Sequence, residues 1–278
     1  MSRYAMSARA RAEALTAHDP LRPHCGRVHD YLLGAGKDSY EVDQLLGARL
    51  VKEAPAFQLG ARAARMFLLR AVHDLAAEFG IFQFVELGAG YPCAPNLHEI
   101  AGRVLPGART VYVDSDAVVA AHGRALLAGS CAEFVHADLT DTDTIVREIS
   151  ATVDLIEPVA ICLGFVAEFI ADPRAVIDAV TAILPPGSYV VMSHITDDVE
   201  TKMVHEARDI YRHGGIALWP RSAEEIAGLV SGFDLIRPGL VPVHRWRPNV
   251  ERAGVAGAGF GWDPAVSEFC LAAVGRLR

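Results

Sequence analysis

The chain is poor in cysteine, and the five it has are poorly placed for chemistry. Cys25, Cys93, Cys131, Cys162 and Cys270 are odd in number and include no Cys-x-x-Cys pair, so neither a disulfide framework nor a zinc site is expected. Scattered, mostly buried thiols suit a reducing cytoplasm, which is the expected location. No apolar run is long enough to cross a bilayer, and the opening residues lack the apolar core of a secretion signal. A membrane is therefore not an expected partner. Lys and Arg form no run and the formal net charge is −8, whereas a surface that neutralises phosphates is usually basic. Nucleic acid is not an expected partner either. Also missing are a fixed-period repeat, a Gly-x-Ser-x-Gly elbow and a P-loop.

From about residue 80 onward, short β-rich runs alternate with helical stretches, the pattern of a parallel sheet with crossover helices. Strands are expected at Ile81 to Leu87, Thr110 to Val113, Ala132 to His136, Val159 to Leu163 and Tyr189 to Ser193. Between them, Asp116, Asp141 and the Asp172-Pro173 pair are helix starts. A helix follows over Val199 to Tyr211, and Ser222 to Glu225 is a capping box that opens another. Two late strands, Phe233 to Leu240 and Val266 to Val274, flank a loop and suit an antiparallel edge. The 278 residues divide into a strand-free helical cap over 1–80 and a sheet domain over 81–278. In the cap, Ala61 to Phe79 carries a helical apolar stripe that Gly80 would stop, and Ser7 to Leu15 reads as a surface helix.

The chemistry gathers at the strand ends. Val85-Glu86-Leu87-Gly88-Ala89-Gly90 is a strand that ends in an acid and a Gly-x-Gly turn. Glycine lets the backbone pass close to a ligand, and ligands of open α/β sheets bind at the carboxyl ends of strands. Asp114 closes the second strand, where a carboxylate can accept hydrogen bonds from ribose hydroxyls. Asp138 and Leu139 follow the third strand, where an acid can accept from an adenine amino group and the next residue's backbone can cap the ring. A dinucleotide fingerprint would need a third glycine, and that position is Cys93. Glu86 is better explained by S-adenosylmethionine, whose amino-acid end carries an ammonium and a sulfonium. Each residue alone has an ordinary structural use; their order along successive strand ends is what points to a cofactor.

A family resemblance rests on Arg22-Pro23-His24, Arg27 to Gly34, Lys37-Asp38, Glu86 to Pro92, Asn96 to Glu99, Tyr112 to Asp116, Gly187 to Tyr189, Ser193-His194, Pro238 to Pro242 and Trp246 to Pro248. Together these segments resemble a bacterial S-adenosylmethionine-dependent methyltransferase family long filed as a domain of unknown function. The resemblance covers nearly the whole chain. It implies an α/β, Rossmann-like class I methyltransferase fold: a mostly parallel seven-stranded sheet with an antiparallel edge, plus an N-terminal helical cap. The implied cofactor is S-adenosylmethionine, held by Glu86, Gly88, Ala89, Gly90, Asp114, Ser115, Asp138, Leu139 and Leu163. Lys37 and Asp38 join them from a loop, Tyr31 to Tyr40, expected to fold over the cofactor as a lid. The resemblance fixes neither the acceptor nor the oligomeric state.

Two departures from the family pattern matter. Gly34-Ala35-Gly36-Lys37-Asp38 has one residue more than the family's Gly-Gly-Lys-Asp, and Glu168 stands about where the family often has a His. Candidate catalytic groups are Glu168, His194 and, for positioning, Tyr31, with His244 behind them. Phe165, Phe169, Tyr211 and Trp219 are candidate walls of an apolar acceptor pocket. His194, Asp197 and Asp198 could also be read as metal ligands, although short acidic loops are usually just solvated, and no metal is expected. The leading expectation is methyl transfer to a small molecule, with secondary metabolism as the expected setting. Non-methylating chemistry such as cyclisation, a silent binding module and a nicotinamide-dependent oxidoreductase are the competing readings.

Overall fold

The computed structural model describes residues 19–34, 36, 37, 39–248 and 268–278. The expected helix over Ser7 to Leu15, Asp38, and most of the loop between the two late strands lie outside them. Eight strands form one sheet: β1 (Gln83–Leu87), β2 (Arg109–Asp114), β3 (Ala132–His136), β4 (Val159–Leu163), β5 (Tyr189–Ile195), β6 (Asp234–Leu235), β7 (Val241–Pro242) and β8 (Cys270–Arg276). Their order is β3-β2-β1-β4-β5-β8-β6, with β7 also paired to β8. The first five strands are parallel, and β8 runs antiparallel to β5 over seven residue pairs, Tyr189↔Arg276 to Ile195↔Cys270.

The expected strand Phe233 to Leu240 is broken, which raises the count from the expected seven strands to eight. Pro238 has no N–H for the ladder. Gly239 turns at φ 93°, its N–H closing on the Ile236 carbonyl at 2.8 Å. The chain therefore touches β8 twice, at Asp234–Leu235 and at Val241–Pro242, and the edge position of the sheet is shared by two short pieces.

Helices cover both faces. Among the described residues they are α1 (Cys25–Leu33), α2 (Glu41–Glu53), α3 (Pro55–Phe79), α4 (Leu97–Val104), α5 (Ala117–Leu126), α6 (Thr142–Thr152), α7 (Pro173–Thr181), α8 (Thr201–His213) and α9 (Ala223–Val230). The helix starts read from Asp116, Asp141, Asp172 and Ser222 are in place, each side chain accepting from a backbone N–H of the first turn. The α3 helix begins at Pro55, earlier than the expected Ala61, because proline at the first helical position costs no hydrogen bond.

Strand residues alternate between the two layers, as a period of two requires. Val85, Leu87, Val111, Val113, Ile161 and Leu163 pack on the face covered by α6, α7 and α9. Phe84, Tyr112, Phe134, Ala160 and Cys162 pack on the face covered by α1–α5 and α8. The same alternation puts Glu86 on the α3 side of β1. The N-terminal helices share one continuous core with that face. Of the five thiols, Cys162 and Cys270 are buried, Cys25 and Cys93 are half-buried, and Cys131 is exposed.

Candidate active site

The chain leaves β1 toward β2 and β3 on one side, then returns to β4 and β5 on the other. A crevice opens where the direction reverses, beyond the carboxyl ends of adjacent β1 and β4. A cleft of about 1000 Å³, counted to its open mouth, lies there. It is lined by Glu86, Gly88, Ala89, Gly90, Asp114, Ser115, Asp138 and Leu139, eight of the residues read from the sequence.

The turn after β1 is tightly constrained. Gly88 and Gly90 have φ of 67° and 63°. A Cβ on Gly88 would meet Val166 Cγ2 at 2.2 Å, and one on Gly90 would face the Gly26 carbonyl at 3.6 Å. Asp114 holds this turn in place: Oδ2 accepts from the Gly90 N–H at 2.8 Å and Oδ1 from the Asp116 N–H at 2.9 Å. The Asp138 carboxylate folds onto its own loop, with Oδ1 accepting from the Thr140 N–H and hydroxyl, both at 2.8 Å. The His136 Nε2–H donates to the Ser115 carbonyl at 2.9 Å and ties the second strand end to the third.

The α1 helix closes the cleft from above. His24, Cys25, Gly26, His29, Asp30 and Leu33 line that wall. The helix is anchored by Arg27, whose side chain is 2% exposed. Its Nε donates to Asp43 Oδ2 of α2 at 2.8 Å, Nη1 pairs with Asp116, and Nη2 donates to the Arg22 carbonyl at 2.7 Å. Burial works to raise the Asp116 carboxyl, but His24, Arg27 and the two helix N–H donors hold it below its ordinary value.

Of the expected lid, Leu33 lines the cleft and the other described residues do not. The loop after α1 is pinned to α2, because Gln44 Nε2 donates to the Gly36 and Ser39 carbonyls at 2.8 and 3.0 Å. Lys37 is exposed and does not line the cleft. Asp38 lies outside the described residues. The Leu163 side chain also misses the cleft, because strand alternation turns it into the opposite apolar layer.

The three catalytic candidates lie outside the lining. Tyr31 packs its ring on α2, where a Cβ at Gly47 would meet it at 2.4 Å. His194 is fully buried, its Nδ1–H donating to the Ile195 carbonyl at 2.7 Å and its Nε2 accepting from Arg221 at 2.8 Å. Burial brings it down to about 4. Glu168, in the short turn Ala167–Phe169, is fully buried with neither carboxyl oxygen hydrogen-bonded, and burial pushes it up to about 8. His244 pairs with Glu268 at 3.3 Å, away from the cleft. Of the aromatic candidates, Phe165 and Phe169 line the cleft, Tyr211 packs edge-on behind Phe169, and Trp219 is exposed. Asp198 caps α9 through the Ala223 N–H at 2.7 Å. Among the described residues no group of three or more His, Cys, Asp or Glu is placed to hold a metal ion.

Two lining residues that the sequence does not mark as part of the site are His29 and Arg65. His29 stacks on Phe165, ring centroids 5.4 Å apart, and its buried Nδ1 has no hydrogen-bond partner. Burial, reinforced by Arg65, brings it down to about 4. Arg65 reaches in from α3, its Nη1 donating to Glu86 Oε1 at 2.9 Å. Burial raises the Glu86 carboxyl and Arg65 opposes it, leaving a net rise. The signal for Arg65 was in the sequence: it shares the apolar face of α3 with Ala61, Leu68 and Val72, where a charge is rare unless paired.

A family model described as S-adenosyl methyltransferase matches residues 11–274. The chain belongs to this S-adenosyl methyltransferase family. Two solved structures agree. A protein of the DUF574 family from Streptomyces avermitilis is 33% identical, with 92% of this chain and 98% of that one covered and a TM-score of 0.82. A candidate methyltransferase from Thermobifida fusca is 34% identical, with coverages of 92% and 96% and a TM-score of 0.82. The plantazolicin methyltransferase BamL, solved with SAH and a triazolic desmethylPZN analogue, is 11% identical with a TM-score of 0.55, which shows a shared fold. No curated protein matches the chain. The fold is Rossmann-like, and the family's cofactor is S-adenosylmethionine. No described helix is long and apolar enough to cross a membrane.

Proposed function

We propose that the protein transfers a methyl group from S-adenosylmethionine to a small-molecule acceptor, in the manner of a secondary-metabolism enzyme. One observation carries this reading: a single cleft combines the polar strand ends with an apolar wall of Leu68, Phe165, Phe169 and Ile170 beneath α1. Four carboxyls, those of Asp30, Glu86, Asp114 and Asp138, line it against one arginine. That balance fits a sulfonium and repels a polyanion.

The cofactor fits the residues present. Gly88 and Gly90 turn the backbone at positive φ along the lining, and Asp114 sits behind the turn with one lone pair on each oxygen still to give. In this reading Glu86, Gly88, Ala89 and Gly90 take the amino-acid end. Asp114 and Ser115 take the ribose, and Asp138 and Leu139 the adenine. The bound cofactor supplies an electrophilic methyl. The protein's part is to orient the acceptor against Phe165 and Phe169 and to exclude water with α1. For an acceptor that must lose a proton, His29 is the group in place, neutral at physiological pH and stacked in the lining. Glu168, His194 and Tyr31 support the walls.

The test uses methyl-labelled S-adenosylmethionine and an extract split into an ultrafiltrate and its macromolecular remainder. The expected result is label transferred into the ultrafiltrate with release of S-adenosylhomocysteine. Label confined to protein or nucleic acid overturns the small-molecule reading. Consumption without S-adenosylhomocysteine points to non-methylating chemistry.

A further inference from the structure

Arg65 has an unusual set of partners. Its side chain is 7% exposed, and it is the only Lys or Arg among the described residues that line the cleft. Nη1 donates to Glu86 Oε1 at 2.9 Å, and Nη2 donates to the Cys93 and Pro95 carbonyls at 3.0 and 3.1 Å. The guanidinium is thereby fixed across α3, the end of β1 and the loop that follows the glycine turn. Its Nε–H is buried and has no acceptor. Buried donors are seldom left unmet, and an orphan calls for an explanation. A charged one costs most.

We propose that Arg65 is the receptor for the α-carboxylate of the cofactor's amino-acid end. Glu86, its ion-pair partner, accepts from the α-ammonium. The inference rests on reading the cleft as an adenosyl site. An amino acid presents a cation and an anion on neighbouring atoms, and the Arg65–Glu86 pair presents the reverse pattern on one wall. A hydrogen bond between two ions is about twice as strong as a neutral one, and the spare donor, Nε–H, lies on a group already immobilised by three other hydrogen bonds. Little ordering remains to be done when the ligand arrives. The consequence is selectivity. The cleft recognises the adenosyl group as the bearer of a zwitterion and discriminates against nucleosides that lack the carboxylate.

The experiment is calorimetric titration with three ligands: S-adenosylhomocysteine, its decarboxylated amine, and 5′-methylthioadenosine, which lacks the whole amino-acid end. The wild-type chain should bind S-adenosylhomocysteine at least about 10-fold tighter than the decarboxylated amine, the low end for a hydrogen bond to a charged group. In Arg65→Gln, that preference should vanish through loss of S-adenosylhomocysteine affinity. The affinities for the amine and for 5′-methylthioadenosine should stay within about 3-fold, a margin below one hydrogen bond. A parallel loss for all three ligands would make Arg65 a structural brace and overturn the proposal, as would equal wild-type affinity for the acid and the amine. Should Arg65→Gln fail to fold, the wild-type comparison still decides. If the wild-type chain binds none of the three ligands, the adenosyl reading itself falls and takes this inference with it.

Discussion

Arg27 and Asp43 meet with both side chains out of water, Nε to Oδ2 at 2.8 Å and 2% and 0% exposed. The pair joins α1 to α2, and the second face of the same guanidinium reaches Asp116 at the start of α5. The α1 wall of the cleft is thus tied to the residue two places beyond Asp114. Removing one partner of a buried pair leaves an uncompensated charge, which costs about 3 to 5 kcal/mol. Arg27→Met is expected to lose that much in urea unfolding and to weaken S-adenosylhomocysteine binding as α1 loosens. A loss below about 1 kcal/mol, the level of an exposed pair, would show that α1 is held by apolar packing alone.

The cleft-lining residues at the ends of the first three strands were legible because each has a local signature: an acid or glycine directly after a β-rich run. The parallel order was legible for the same reason. Arg27, His29 and Arg65 were not, because their roles depend on contacts across the molecule. Arg27 bonds to Asp43 and Asp116, 16 and 89 positions away, and no spacing rule links them. Glycine and charge mark the loop after α1 without saying what the loop packs on. Gln44 decides that, and it lies on the next helix. Glu168 stood out as a departure from the family pattern, but the turn that buries its carboxyl does not show in the sequence.

Asp114 is predicted to couple turn geometry to ligand affinity. Both of its oxygens already accept backbone N–H groups, so Asp114→Asn sets an amide NH2 against one of those donors. Losing a hydrogen bond to a charged group costs about 1.5 to 3 kcal/mol, or roughly 10- to 100-fold in affinity. Calorimetry with S-adenosylhomocysteine should show a fall of that size. Asp138→Asn should cost less, because Asp138 is exposed and its carboxylate bonds only within its own loop. Equal losses at the two positions would remove Asp114 from its assigned place at the ribose.

Gly88 carries two separable constraints. Its φ of 67° is unfavourable for a side chain, and an added Cβ would lie 2.2 Å from Val166 Cγ2. Gly88→Ala should destabilise by about 2 to 5 kcal/mol, combining roughly 1 to 3 for the overpacked contact with about 1 to 2 for the left-handed backbone. Adding Val166→Ala should recover the steric part alone. Chemical unfolding of the two single variants and the double variant reads this directly. Strictly additive effects would mean that the β1 turn and the loop after β4 do not touch in solution.

Glu168 sets the alkaline side of the stability profile. Its folded value of about 8 lies above the ordinary 4.5. Between those limits the folded chain keeps a proton that the unfolded chain gives up. Its stabilising contribution is complete below 4.5 and is lost as the pH rises through 8, at up to about 1.4 kcal/mol per pH unit. His29 and His194 act in the opposite sense. Both fall from 6.5 to about 4 on folding, so the unfolded chain binds protons the folded one refuses. Stability drops as the pH falls from 6.5 toward 4, with two groups opposing one. These three residues place the maximum near pH 6.5, and among them the decline to pH 8 belongs to Glu168. Glu168→Gln has nothing to ionise there, so its unfolding free energy should fall less steeply than the wild type's from pH 6.5 to 8 while the acid limb stays. A variant that keeps the wild-type alkaline slope would mean that the Glu168 carboxyl reaches water or a partner in solution.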